Sequence, residues 1–189
     1  MKKLLYWLAV CACTLLVPLT PVRADEALWA ELKAGGNVLL IRHAASGPGT
    51  GDPSGFFLGD CKTQRNLSEA GREEARRLGR ALKWRAVAVS EVRASRWCRT
   101  LETAELAFGH PPVAWEALDA LEQAPDREAE RARAVIALAD TVRPPQNIAL
   151  VTHAANIRAL TGIAPSTAEI VVVRGAGGKI RVVGRLPVQ

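Results

Sequence analysis

Two histidines and two arginines carry the chemistry that this sequence can be expected to perform. Arg42 and His43 follow directly after a short apolar run, His153 follows another such run, and Arg99 lies between them. A neutral imidazole is a competent nucleophile near neutral pH, and a guanidinium holds phosphoryl oxygens bidentately without titrating. A second histidine can donate a hydrogen bond to oxygens on which charge builds up during transfer. These residue types therefore indicate phosphoryl transfer through a histidine, in a scheme that needs neither a metal ion nor another cofactor.

The elements that must position these residues alternate between apolar strands and amphipathic helices. The sequence predicts helices over residues 25–34, 66–83 (with Ser68 as N-cap), 97–108, 126–142 and 154–160, and strands over residues 37–41, 86–90, 147–152, 169–173 and 179–183. Strands that are apolar on both faces, alternating with helices, predict a three-layer α/β/α sandwich around a mainly parallel sheet. Ligands of such sheets bind beyond the carboxyl ends of the strands. This rule gathers Arg42, His43, Ser90 and His153 at one edge, with Arg99 further on.

Four short motifs resemble those of the histidine phosphatase superfamily, which has the phosphoglycerate-mutase-like fold. The matching segments occur in the family's order: residues 40–44 resemble its Arg-His-Gly signature, residues 66–72 its L-T-E-x-G helix start, residues 95–104 its S-x-x-x-R-x-x-x-T-A segment, and residues 150–153 its second catalytic histidine. The resemblance spans residues 37–162. It implies that His43 accepts the phosphoryl group, that Arg42 and Arg99 bind the phosphate, and that His153 stabilises the group in transfer.

The chain departs from the family pattern in two places. Ala44 stands where glycine is usual, and its methyl group is tolerable if φ at this residue is negative. Ala154 follows the second histidine, where the histidine acid phosphatases carry their catalytic aspartate. The general acid must therefore come from elsewhere in the chain.

Three carboxylates lie between Arg99 and His153 and are candidates for that acid: Glu116, Asp119 and Glu122. The sequence does not separate them, although residues 118–122 resemble the acid-bearing loop of the family and so favour Glu122. Around the pocket, Gln64 and Arg65 come within reach of the substrate in one interpretation. Asn156 is expected to cap or pack near a helix start, Trp97 to lie in the core, and His110 to lie in a surface turn.

The first 24 residues read as a cleavable signal peptide. Two lysines precede an apolar run that two prolines end, and small residues at positions 22 and 24 predict cleavage after Ala24. We therefore expect residues 25–189 to form a histidine phosphatase domain that is located in the periplasm or outside the cell. A retained membrane anchor and a lipoprotein modified at Cys13 remain as alternatives. In an oxidising compartment, Cys61 and Cys98 are expected to form a disulfide rather than to stay free thiols.

Charge and composition exclude some partners without naming one. The chain has 189 residues and a formal charge of +6, but its basic residues are dispersed, unlike those of a nucleic-acid-binding protein. We therefore expect a metal-independent phosphomonoesterase that acts through a phosphohistidine on a phosphorylated small molecule or an envelope sugar. The secreted members of the family that the chain resembles remove phosphate from lipopolysaccharide heptose. The alternative is a weakly catalytic module on the same fold that binds a phosphorylated ligand. We expect no nucleic-acid partner, and no stable membrane insertion once the leader is removed.

Overall fold

The computed structural model describes residues 21–187 of the chain, with side-chain surroundings from residue 25 onward. The α-helices are Pro21–Ala34 (α1), Glu69–Trp84 (α2), Cys98–Phe108 (α3), Glu128–Ala139 (α4) and Ala154–Thr161 (α5), and the strands are Asn37–Arg42 (β1), Glu91–Ala94 (β2), Val113–Ala114 (β3), Asn147–Thr152 (β4), Ile170–Gly175 (β5) and Ile180–Leu186 (β6). Short 3-10 turns occur at Cys61–Thr63, Glu116–Leu118, Leu121–Gln123 and Pro125–Arg127. The predicted leader lies almost entirely outside the described residues and stays a prediction.

The strands form one mixed sheet with the order β3-β2-β4-β1-β5-β6. The pairs β1–β4, β2–β4 and β2–β3 are parallel, whereas β1–β5 and β5–β6 are antiparallel. One face packs against α1, α2 and α3, and the opposite face packs against α4 and α5. The predicted three-layer sandwich around a mainly parallel sheet is therefore confirmed.

The central strands β1 and β4 hold the two histidines at one level. Both strands lie in the middle of the sheet, and their side chains are almost all fully buried because helices cover both faces. Arg42 pairs with Thr152 at the carboxyl end of the parallel ladder, and the His43 N–H donates to the Thr152 carbonyl over 2.9 Å. The residues that follow the two strands must therefore enter the same space above the sheet.

The predicted strand over residues 86–90 is wrong, because the strand that pairs with β4 is Glu91–Ala94. Its side chains alternate between partly exposed and buried, since the outward face is covered only in part. There the Arg93 guanidinium stacks on the Trp115 ring at 4.8 Å and binds Glu91. Because charged residues alternate with apolar ones in this strand, the search for a continuous apolar run did not find it. Ser90 consequently precedes β2 and donates to the Asn147 carbonyl, so it lies at the opposite edge from the site.

Most other sequence predictions match to within a few residues. The Ser68 side chain accepts from the Gly71 N–H and caps α2 as predicted, and the closing strands pair antiparallel as β5 and β6. The helix predicted over residues 126–142 is shorter, because α4 begins at Glu128 after a 3-10 turn and ends at Ala139. The two-residue strand β3 was not foreseen, because two residues carry too little pattern to be recognised.

The predicted disulfide between Cys61 and Cys98 is confirmed. It joins the turn before α2 to the first residue of α3. Within residues 21–187, no helix combines the length and the apolar character that a membrane crossing requires.

Candidate active site

A cavity of about 270 Å³ opens at the carboxyl edge of the parallel strands. It is lined by residues from the ends of β1 and β4, from the glycine-rich loop that follows β1, from α3 and from the turn Leu121–Gln123: Arg42, His43, Thr50, Gly51, Asp52, Arg65, Arg99, Ala120, Glu122, Gln123, His153 and Ala154. The two histidines and two arginines to which the sequence assigned the chemistry, Arg42, His43, Arg99 and His153, therefore share this cavity. Arg65, which was left open, lines it as well.

His43 is held as a neutral imidazole with one nitrogen engaged. Its Nδ1 lies 2.8 Å from the Ala44 carbonyl oxygen, and since a carbonyl only accepts, Nδ1 must carry the proton and Nε2 the lone pair. Burial, together with the nearby guanidiniums of Arg99 and Arg42, lowers the pKa of His43 to about 4. Near neutral pH the ring therefore has a free lone pair for attack on an electrophile.

The backbone after His43 is fixed by two neighbouring elements. The Ala44 N–H donates to the Thr103 hydroxyl over 3.0 Å, and the Ala45 N–H donates to the Glu74 carboxylate over 2.8 Å. Among the described residues other than glycine, only Ala86 and Ala168 have positive φ. Ala44 thus meets the condition under which a methyl group is tolerated at the glycine position.

Three arginines line the cavity. Each is anchored through Nη1: Arg42 to the Pro165 carbonyl (2.9 Å), Arg65 to the Gly49 carbonyl (3.1 Å) and Arg99 to the Asp52 carboxylate (2.8 Å). The Nε atom of each is buried and has no hydrogen-bond partner among the described residues. The same holds for Arg77 and Arg131, which do not line this cavity. Because the three guanidiniums share one cavity with His43, an oxyanion there can bind to them.

Asp52 is a site residue that the sequence analysis missed. Its carboxylate accepts from the Arg99 guanidinium, from the Arg65 N–H and from the Trp97 indole N–H. Burial alone would raise the pKa of Asp52, but these hydrogen bonds hold it below its ordinary value. The carboxylate thus ties the glycine-rich loop to α3. An aspartate among glycines is common in turns, so its sequence context gave no signal.

His153 faces His43 across the cavity. The two ring centroids lie 5.4 Å apart, and His153 Nδ1 lies 3.5 Å from Arg99 Nη2. Its other ring nitrogen, Nε2, lies 2.9 Å from the Ser95 hydroxyl. Burial, followed by the proximity of His43 and Arg99, places the pKa of His153 well below its ordinary value.

The structure separates the three candidate acids by position. Glu122 lines the cavity together with both histidines. Asp119 is fully buried and accepts from the backbone and the guanidinium of Arg96, while Glu116 is half-exposed and lies near two surface guanidiniums. Of the three, Glu122 is the carboxyl group that a bound substrate can meet.

The remaining candidates have structural contacts. Gln64 is buried and accepts from the Cys98 N–H, and Asn156 donates to the Asp119 carbonyl; neither lines the cavity. Trp97 is buried as expected. His110 is exposed in its turn. Among the described residues, no group of three or more His, Cys, Asp or Glu side chains is arranged to hold a metal ion.

Comparison by sequence identifies one family. A profile of the histidine phosphatase superfamily (branch 1) matches residues 38–124, a segment that contains both cavity arginines of the motifs as well as His43 and all three candidate acids. No curated protein matches the chain significantly.

Comparison by structure finds the same architecture in several phosphatases. Phosphoserine phosphatase from Entamoeba histolytica in complex with 3-phosphoglyceric acid superposes with a TM-score of 0.57 at 15% identity, covering 81% of this chain and 98% of the other. The protein histidine phosphatase SixA complexed with tungstate gives 0.56 at 18% identity, covering 79% and 96%. Alpha-ribazole phosphatase from Shigella flexneri gives 0.55 at 16% identity, covering 78% and 95%. At such identities the likeness shows a shared fold. The profile match over residues 38–124 and this shared fold show that the chain is similar to the histidine phosphatase superfamily.

Proposed function

We propose that the protein is a metal-independent phosphomonoesterase that forms a phosphohistidine at His43. The observation that carries this proposal is the pairing of a neutral, buried imidazole with three guanidiniums that line the same cavity. Such a site binds a phosphate dianion next to a nitrogen lone pair. It thereby combines the two requirements of nucleophilic phosphoryl transfer, positioning and charge stabilisation.

In the first step, the Nε2 lone pair of His43 attacks phosphorus and the bond to the leaving oxygen breaks. Glu122 supplies the proton that this oxygen takes up, so that the product leaves as an alcohol. Arg42 and Arg99 hold the non-bridging oxygens, and Arg65 adds a third positive charge on the side of the glycine-rich loop. His153 donates to the transferring group from the opposite side of the cavity.

In the second step, water attacks the phosphorus of phospho-His43. The Glu122 carboxylate, now ionised, takes the proton from water, and the electron pair of the N–P bond returns to Nε2. Inorganic phosphate leaves, and the neutral imidazole is restored with its Nδ1–H still donated to the Ala44 carbonyl. The cycle consumes one water per ester and needs no other reactant.

The charge of the site supports a metal-independent scheme. Three guanidiniums face two carboxylates, Asp52 and Glu122, around the cavity. With Glu122 protonated as the acid, the arginines leave a surplus of positive charge that matches a phosphate dianion. These fixed cations can stabilise the transition state in the way a divalent ion does elsewhere.

A small phosphorylated molecule is the substrate class that the cavity fits best. Its volume of about 270 Å³ lies at the lower end of small-molecule sites. The structural neighbours include a phosphoserine phosphatase in complex with 3-phosphoglyceric acid, an alpha-ribazole phosphatase and a protein histidine phosphatase. Given the expected leader, we propose an envelope sugar phosphate as the first compound class to screen, with the protein in the periplasm or outside the cell.

The test is hydrolysis of an aryl phosphate by the purified protein in EDTA, beside His43→Ala and the matched surface variant His110→Ala. We expect turnover by the wild type and by His110→Ala, and none by His43→Ala. If the wild type binds inorganic phosphate but cleaves none of several esters across a range of pH, the protein is a phospho-ligand-binding module instead.

A further inference from the structure

A buried chain of hydrogen bonds runs from His153 to a carboxylate that faces away from the substrate. His153 Nε2 lies 2.9 Å from the Ser95 hydroxyl, which lies 3.3 Å from the Asp119 carboxylate. All three side chains are buried, and Ser95 and Asp119 are fully so. The sequence suggested Asp119 as a general acid. Its position behind Ser95 indicates instead that it acts on His153.

We propose that Ser95 and Asp119 are positioning residues that hold the Nε2–H group of His153 and stabilise the imidazolium that forms when an oxyanion binds and Nδ1 takes up a proton. This inference rests on the proposed function for its catalytic meaning. Its structural content, a proton taken up by His153 when a dianion binds, does not depend on turnover.

The neighbours of His153 fix which ring nitrogen carries the proton in the empty site. The Arg99 guanidinium can only donate, so Nδ1 accepts from it over 3.5 Å and the ring proton resides on Nε2. Nε2–H then donates to the Ser95 oxygen, and the Ser95 hydroxyl donates to the Asp119 carboxylate. When an oxyanion occupies the cavity, Nδ1 takes up one proton from solvent and donates it to the oxyanion in a hydrogen bond. The contacts of Ser95 and Asp119 stay in place and stabilise the imidazolium.

Hydrogen bonds to both the carboxylate and the backbone carbonyl hold Asp119 in place. Its Oδ1 accepts from the Arg96 N–H over 2.9 Å and its Oδ2 from Arg96 Nε over 2.7 Å. The backbone carbonyl of Asp119 accepts from Asn156 and from the buried Arg131. Asn156, which the sequence assigned to packing, thus secures the turn that carries Asp119.

The charged groups around His153 oppose a positive ring in the empty site. Those that act on it directly are His43, Arg99, Arg131 and Arg42, and Glu122 lines the same cavity. An oxyanion bound between the guanidiniums offsets this repulsion. The carboxylate of Asp119, reached through Ser95, then becomes the fixed counter-charge behind the ring.

The experiment measures proton uptake on binding of tungstate, which stays a dianion near neutral pH. Calorimetric titrations of the purified protein in buffers of different ionisation enthalpy give the number of protons taken up. Ser95→Ala and Asp119→Asn are compared with two matched controls: Ser90→Ala, a serine at the other end of β2, and Glu116→Gln, which lies near the same Arg96 without touching Ser95.

We expect the wild type and both controls to take up a proton, and Ser95→Ala and Asp119→Asn to lose most of this uptake. Aryl phosphate turnover should fall about 10- to 100-fold in both variants with little change in KM, as for other groups that orient a catalytic ligand. Glu122→Gln should retain the uptake, which assigns the proton to His153 rather than to the carboxyl. Wild-type uptake in folded Ser95→Ala and Asp119→Asn would overturn the inference. If the wild type takes up a proton and the two variants do not, but the wild type hydrolyses no phosphate ester, the positioning role of Ser95 and Asp119 stands and the enzymatic function is refuted.

Discussion

The low pKa of His43 makes the folded protein sensitive to acid in a way that can be calculated. The pKa is about 4 in the folded state, against an ordinary value of 6.5. Between these values the unfolded chain binds more protons than the native state, so stability is lost as the pH falls from about 6.5 towards 4. At pH 7 protonation of His43 in the unfolded chain lowers the free energy of unfolding only slightly.

The magnitude follows from the difference of the two titration curves. From pH 7 to pH 5, His43 alone should lower the free energy of unfolding by about 2 kcal/mol. His153 acts in the same direction, because its pKa is also lowered. A loss of this size is a large part of the stability of an ordinary domain.

The assay is urea unfolding at pH 7 and at pH 5, followed by tryptophan fluorescence with the disulfide intact. The variant is His43→Asn, which keeps a polar side chain of similar width but does not titrate. We expect the difference between the two pH values to shrink by about 2 kcal/mol in this variant and to stay unchanged in His110→Asn, where an exposed histidine is replaced. An equal pH dependence in the wild type and His43→Asn would refute the burial of a neutral imidazole at this position.

Three further predictions concern binding, acid catalysis and the loop after His43. Arg65→Ala should weaken binding of inorganic phosphate about 10- to 100-fold, the worth of a hydrogen bond to a charged group, as measured by calorimetry. Glu122→Gln should reduce kcat about 10²- to 10⁴-fold on alkyl phosphates, and much less on aryl phosphates whose leaving group needs no proton. Gly71→Ala should lower the free energy of unfolding by about 1–3 kcal/mol and reduce kcat, because a Cβ there would lie 1.8 Å from the Ala45 carbonyl oxygen.

Each of these predictions has a matched control. Arg80→Ala removes an exposed guanidinium of α2 and should leave phosphate affinity unchanged. Glu116→Gln removes a carboxylate outside the cavity and should retain kcat on both ester types. Gly47→Ala places a Cβ in ordinary van der Waals contact and should be tolerated. Equal effects in a variant and its control would contradict the corresponding role.

The sequence predicted the central part of the site because two physical signals coincide there. β1 and β4 are buried on both faces, so their residues form continuous apolar runs whose ends are visible, and His43 and His153 come next. The parallel pairing of two such strands is enough to bring their carboxyl ends together. These two signals were sufficient to predict that His43 and His153 lie close together.

The second strand and the choice among the acids required the three-dimensional structure. The pattern of β2 contains two charged residues that pair on a partly exposed face, which no apolar-run criterion recognises. Glu116, Asp119 and Glu122 lie within one short segment, and each is an ordinary carboxylate in sequence. Only the path of the 3-10 turns puts Glu122 at the cavity and Asp119 behind Ser95.

The contacts that complete the site join positions far apart in the chain. Asp52 binds Arg99, 47 residues away, and Ser95 contacts His153, 58 residues away. No periodic pattern in the sequence predicts such contacts, because they depend on how the loop after β1 crosses the edge of the sheet.

The most direct test of the central claim is to trap the covalent intermediate. The wild-type protein is mixed with an excess of aryl phosphate, quenched within milliseconds in alkali, where phosphohistidine survives, and analysed by mass spectrometry after digestion. We expect one added phosphoryl group on the peptide that contains His43, absent from His43→Asn and lost on treatment with acid. A protein that hydrolyses the ester without forming this adduct, or that carries it equally in His43→Asn, would contradict the account.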